Sequence, residues 1–114
     1  MIIINKTKGK ILAKKAKLCK SHISKAIGLM FSRKAKPLMF IFDKEEIVQL
    51  HMFFVFFPID IIYIDSNNQV VEIKENFRPF AFYNPKNKAK YVIELPKGTI
   101  KKTNTQIEDT IRFK

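Results

Sequence analysis

A chain of 114 residues, 46% of them hydrophobic, is long enough to bury one core and too short to divide into two, so a single domain spanning residues 1–114 is expected. One cysteine, Cys19, excludes an internal disulfide and leaves packing to supply stability. The net charge of +12 is unevenly spread: residues 1–42 hold eleven Lys or Arg and no Asp or Glu, whereas residues 43–114 hold eleven basic and ten acidic residues.

The first segment, "MIIINKTKGK", has three apolar residues after Met1 before its lysines begin. A signal peptide needs at least about seven in a row, so a cytoplasmic location is expected. "MIII" and "GKILAKKAKLC" flank a Thr7-Lys8-Gly9 turn and read as a hairpin. Ser21 stands where an N-cap would, ahead of "HISKAIGLM", whose Ile23, Ala26, Ile27 and Met30 recur at helical spacing. One short helix is expected there. After Pro37 come "LMFIF", "IVQLHMFFVFF", "IDIIYID", "QVVEIKE", "FAFY", "AKYVIEL" and "DTIRF", each rich in strand-favouring residues. The separators "DKEE", Pro58, "SNN", Pro79, "NPKN" and "PKG" are turn-formers. About eight short strands and one helix describe a mainly β protein, a jelly-roll-like β-sandwich or a partly closed barrel.

Residues 47–64 are apolar enough to suggest a membrane span. Gln49, His51, Pro58 and Asp60 lie within the stretch, and a carboxylate near the centre of a span costs roughly 2.5 to 3.5 kcal/mol. Two buried strands, over residues 51–57 and 59–65, are expected instead, and no membrane span. In the second of these, alternation puts Asp60, Ile62 and Ile64 on one face and Ile59, Ile61, Tyr63 and Asp65 on the other. An acid in line with two isoleucines must be hydrogen-bonded, by backbone amides of a nearby loop or by His51. The alternative is a place at a pocket rim, where it meets a ligand.

"GLMF" from Gly28, "HMFFVFFPIDIIYID" from His51 and "YVIELPKG" from Tyr91 resemble, in order and spacing, the markers of the small uncharacterised DUF192 family, also catalogued as UPF0127. The likeness covers roughly residues 11–113. The markers fall on Gly28, Leu29, Met30 and Arg33; on Met52, Pro58, Ile59 and Asp60; and on Glu94, Leu95 and Gly98. The chain departs from the pattern where the arginine is displaced by one to Arg33, and where Phe53, Phe54 and Val55 follow Met52 in place of polar residues. A Gly-Asp pair expected near the end appears as Glu108-Asp109. The resemblance implies a jelly-roll-like fold and carries no established activity.

Three function classes remain. An enzyme has thin material: two histidines, one thiol and three glycines, with no HExxH, CxxC or GxSxG motif. No catalytic residue is assigned, and the spacing of His22, His51 and Asp60 follows no metal-site pattern, so neither cofactor nor metal is expected. A binding module for a small polar or cationic ligand is favoured, with Met30, Arg33, His51, Met52, Asp60 and Glu94 as candidate ligand residues. In that reading Asp60 and Glu94 rim one pocket with apolar walls. The alternative is weak, sequence-blind binding of RNA or DNA phosphates through Lys10, Lys14, Lys15, Lys17 and Lys20, since lysine outnumbers arginine nineteen to three and no aromatic residue interleaves with those lysines. A solvated basic face explains the same charge without a partner. The expected state is a monomer or weak dimer.

Overall fold

The computed structural model describes residues 1–20, 36–51 and 55–114. Among them run ten strands: β1 (Ile3–Asn5), β2 (Lys10–Ala13), β3 (Lys17–Cys19), β4 (Leu38–Glu46), β5 (Leu50–His51), β6 (Ile59–Ile64), β7 (Val70–Phe77), β8 (Phe82–Tyr83), β9 (Ala89–Pro96) and β10 (Ile111–Phe113). One short helix among the described residues, α1 (Thr99–Thr103), follows β9. The helix expected at Ser21 to Met30 lies outside the described residues.

The strands form a three-stranded sheet ordered β10-β1-β2, a five-stranded sheet ordered β3-β4-β9-β6-β7 and a two-stranded ladder of β5 and β8. Among the described residues these sheets stay open and do not close into a barrel. All pairings are antiparallel except β3 with β4. The expected amino-terminal hairpin is present as β1 and β2, but its second arm is cut short. At Ala16 the chain turns a corner, with the Ala16 N–H donating to the Met1 carbonyl at 2.9 Å, and Lys17–Cys19 joins the other sheet. The mixed lysine and alanine pattern of this arm reflects two short strands on two sheets.

β6 explains the greasiest part of the sequence. All six of its residues are buried, because apolar layers cover both faces of the five-stranded sheet. One face packs Met39, Ile62, Ile64, Ile93 and Leu95 against Ile3, Leu12, Ile111 and the α1 residue Ile100. The other packs Leu38, Phe40, Ile59, Ile61, Tyr63 and Val92 beneath the β5 and β8 ladder. The alternation expected along β6 therefore holds, with a core on each side where one was expected.

Two expectations fail in detail. The strand expected over residues 51–57 includes His51, the last residue of β5, but not Val55 to Phe57, which is outside any strand, and residues 52–54 lie outside the described residues. "DKEE" is not a turn but the exposed end of β4, where the register against β9 shifts between Ile41 and Glu46 and lets charged side chains face solvent. The turn expected at "PKG" is present at Lys97 and Gly98 and leads into α1, a helix with no signature of its own in the sequence because five residues show too few turns for periodicity.

Candidate functional site

The ladders place side chains in rows across the second face of the five-stranded sheet. Lys17 lies opposite Leu38, Leu38 opposite Glu94, Glu94 opposite Ile61 and Ile61 opposite Lys74. The next row runs Cys19, Phe40, Val92, Tyr63 and Glu72. Glu94 and Tyr63 are diagonal neighbours on this face, an arrangement that sets Cβ atoms about 7 Å apart. Both are buried. The Tyr63 hydroxyl has no hydrogen-bond partner among the described residues, and no hydrogen bond or ion pair reaches the Glu94 carboxyl among them either.

Burial pushes the Glu94 carboxyl up to about 7, so it sits at the balance between acid and carboxylate near neutral pH. The Tyr63 phenol is raised by burial first and then by the negative charges of its surroundings, among them Glu72 and Glu94. Cys19 is likewise raised by burial, with Lys17 and Glu94 acting in opposite directions, so its thiol is inert near neutral pH.

Glu72 lives differently on the same face. Its Oε1 accepts from the Lys86 N–H at 2.9 Å, the Asn87 N–H at 3.0 Å and the Asn87 Nδ2 at 3.0 Å, while Oε2 accepts from the Tyr83 hydroxyl. Burial raises the Glu72 carboxyl, but these donors together outweigh it and hold it below the usual range. Tyr83 is pushed up to about 12 by burial and by the hydrogen bond to Glu72. Its ring packs 6.0 Å from that of Tyr63, with Lys74 Nζ 5.5 Å from its centroid. Tyr83 spends its hydroxyl on Glu72 and leaves that of Tyr63 alone.

The two acids do not rim one pocket. Asp60 lies opposite Leu95, and Glu94 opposite Ile61, so a one-residue offset sets them on opposite faces of the sheet. The Asp60 carboxylate is engaged: Oδ1 accepts from the Asn76 N–H, and Oδ2 from the Gly98 and Ile100 N–H groups, all at 3.0 Å. Those last two donors open α1, whose N-cap is Gly98 and has no side chain of its own to cap them. The carboxylate caps this helix from across the sheet and also pins Asn76, which stands at φ 51 beside the irregularity between β6 and β7. The donors are backbone amides, as one of the two expectations had it. His51 ends β5 opposite Phe82, and Met30, Arg33 and Met52 lie outside the described residues. Glu94 is thus the one candidate ligand residue whose side chain is buried without a partner among those described.

Sequence reasoning missed Tyr63, Glu72 and Tyr83. Tyr63 was legible as a core-facing residue, but the vacancy at its hydroxyl depends on Glu72 claiming Tyr83, which is a tertiary fact. Among the described residues no three His, Cys, Asp or Glu side chains group to hold a metal, and no helix is long and apolar enough to cross a membrane.

A family model named DUF192 and described as "Uncharacterized ACR, COG1430" matches residues 3–113. The chain belongs to the DUF192 family. It is 40% identical over 113 residues to a UPF0127 protein of Thermococcus sibiricus, covering 96% of this chain and 73% of that protein. A UPF0127 protein of Pyrococcus horikoshii is 32% identical over 114 residues, covering 98% of each. Among solved structures, a protein of unknown function from Novosphingobium aromaticivorans matches with a TM-score of 0.87 at 19% identity, covering 98% of this chain and 83% of that one. A Sinorhizobium meliloti protein described as a proposed transcription regulator matches with a TM-score of 0.85 at 24% identity, covering 97% and 89%. At such identities the likeness is one of fold. Two of the segments that resemble DUF192 markers meet in space: Asp60 accepts the Gly98 N–H, and Ile59 pairs with Pro96.

Proposed function

We propose that this DUF192 chain acts as a single binding domain for a small polar or cationic ligand, taken up on the face that carries Glu94 and Tyr63. What supports this reading is one observation: the buried Tyr63 hydroxyl has no hydrogen-bond partner among the described residues, and its diagonal neighbour on the same face is the buried acid Glu94. A buried hydroxyl left unsatisfied costs roughly 1 to 3 kcal/mol, and such a cost is retained where a ligand repays it on binding. The face offers apolar walls from Leu38, Ile61 and Val92, which suits a ligand with one polar end. A thermal-shift panel of small polar metabolites tests it, because a compound that binds only the native state raises the melting temperature. The expected result is at least one hit that is lost in Glu94→Gln. A panel whose hits all survive that substitution would remove the site.

The second reading, sequence-blind binding of nucleic-acid phosphates, is supported by the exposure of Lys10, Lys14, Lys15, Lys17 and Lys20 along β2, β3 and the corner between them. Titrating one duplex and a scrambled duplex at low and moderate salt tests it. Equal, strongly salt-dependent affinities are expected, and a marked sequence preference or indifference to salt would rule it out.

A further inference from the structure

The charged and titratable groups around Glu94 and Tyr63 can be read off the ladders. β3 brings Lys17 and Cys19 to this face and β7 brings Glu72 and Lys74, while Tyr83 of β8 packs against the Tyr63 ring. The strands between them contribute Leu38, Phe40, Ile61 and Val92, which are apolar. Lys17 is exposed on the edge strand, two strands from Glu94, a separation of about 10 Å between backbones. Lys74 lies over the ring of Tyr83. Glu72 has its oxygens filled by donors that hold it charged. The face that holds Glu94 and Tyr63 therefore has carboxyl groups on both sides of the Tyr63 position, Glu72 on one and Glu94 on the other.

We propose that Glu94 and Tyr63 together bind a small organic ammonium ion, an inference that rests on the ligand-binding reading above. An ammonium head has three donors and no acceptor, and it meets here the phenol oxygen of Tyr63, which has no partner among the described residues, and the carboxyl of its diagonal neighbour Glu94. The charge-assisted bond to the carboxylate is the stronger of the two. Leu38, Ile61 and Val92 flank Glu94 and would take the alkyl part. An anion is opposed by Glu72 and by Glu94 once ionised, and a neutral alcohol leaves the ionised Glu94 unanswered.

This chemistry links binding to protons. Glu94 keeps its proton up to about pH 7, so below that value the ammonium ion must displace it, and one proton leaves for each ion bound. Affinity is then expected to fall about fivefold from pH 7 to pH 6, to approach tenfold per pH unit below that, and to level off above 7.

The test titrates the full chain with n-butylammonium chloride at pH 5, 6, 7 and 8, followed by calorimetry and thermal shift, with n-butanol and sodium chloride as comparisons. Expected is binding of n-butylammonium alone, with a dissociation constant about fivefold higher at pH 6 than at pH 7 and about tenfold higher again at pH 5. Glu94→Gln should weaken it by roughly tenfold to a hundredfold. Tyr63→Phe, which keeps the ring in the core, should weaken it severalfold and serves as a second readout if Glu94→Gln is poorly folded. Equal binding of n-butanol, equal binding by the Glu94 variant, or an affinity flat from pH 5 to 8 would overturn the proposal. If an uncharged or anionic panel compound binds in a Glu94-dependent way while n-butylammonium does not, the ammonium proposal fails and the ligand-binding reading stands. If no compound depends on Glu94, both fail.

Discussion

Asp60 and Glu94 sit one register step apart on neighbouring strands and show how environment divides two acids. Asp60 receives three backbone N–H groups, whereas Glu94 receives none among the described residues and is raised by burial. Asp60→Asn keeps the shape but turns one acceptor oxygen into a donor facing N–H groups. It is expected to cost about 1 to 3 kcal/mol in urea unfolding, and an unchanged midpoint would show that α1 needs no cap from across the sheet. Glu108 has the opposite problem. It stands at φ 77, where a side chain costs roughly 1 to 2 kcal/mol, partly offset by the greater chain entropy of unfolded glycine. Glu108→Gly is therefore expected to stabilise by up to about 1 kcal/mol, as measured by the same unfolding experiment.

At the scale of elements, β6, β7, β9 and the tight turn between β6 and β7 were legible because their cause is local. "IDIIYI" alternates between two apolar layers, and "SNN" follows Asp65, whose Oδ1 takes the Asn67 and Gln69 N–H groups at 2.9 Å each. What was not legible depends on partners distant in sequence. Nothing in "AKKAK" marks the corner at Ala16 where the chain changes sheet, and nothing in "PKGTIKKT" marks a helix whose cap is Asp60, 38 residues before Gly98. The same holds for the candidate site: Glu94 could be named from its marker segment, but its separation from Asp60 required the β6 and β9 register. Burial on both faces of the sheet has an energetic corollary. Ile62 is fully buried between Ile73 and Ile93 of the flanking strands, so Ile62→Ala is expected to cost about 2 to 5 kcal/mol. Ile11, on β2 and 51% exposed, should tolerate alanine within about 0.5 kcal/mol. Comparable losses at the two positions would mean that the central strand is not covered on both sides.

For the whole molecule, the buried acids set the response to pH. Glu94 binds its proton more tightly folded, at about 7, than at the ordinary value of 4.5. The folded state is thus favoured by protonation, so the Glu94 contribution falls as pH rises from about 4.5 to 7 and is constant beyond, a change on the order of 3 kcal/mol. Asp109 works in the other direction. Burial raises it, but hydrogen bonds from Asn5, the Gln106 N–H and Lys8, with the Lys8 charge, more than compensate and hold it below its ordinary value. Its contribution is present above the ordinary carboxylate range and is lost as pH falls through its lowered folded value. Stability measured by denaturant across pH 3 to 8 should therefore peak on the acid side of neutral. The difference between the parent and Glu94→Gln should narrow below about pH 5, and a parallel pair of curves would contradict the assignment to Glu94.

β1 lies between β10 and β2, and the Ile2 and Lys114 backbones exchange two hydrogen bonds of 2.9 Å. Joining the first strand to the last encloses nearly the whole chain in one loop, whose closure entropy must be met before the ladder returns any stability. The hairpin of β6 and β7 closes across a few residues and has no such barrier. The order of events on folding follows: the central hairpin belongs to the early nucleus, and the β1 to β10 seam zips after the rate-limiting step. Trimming Ile3 to valine should accordingly hasten unfolding while leaving the refolding rate nearly unchanged, so the seam governs how long the native state persists rather than how quickly it is reached.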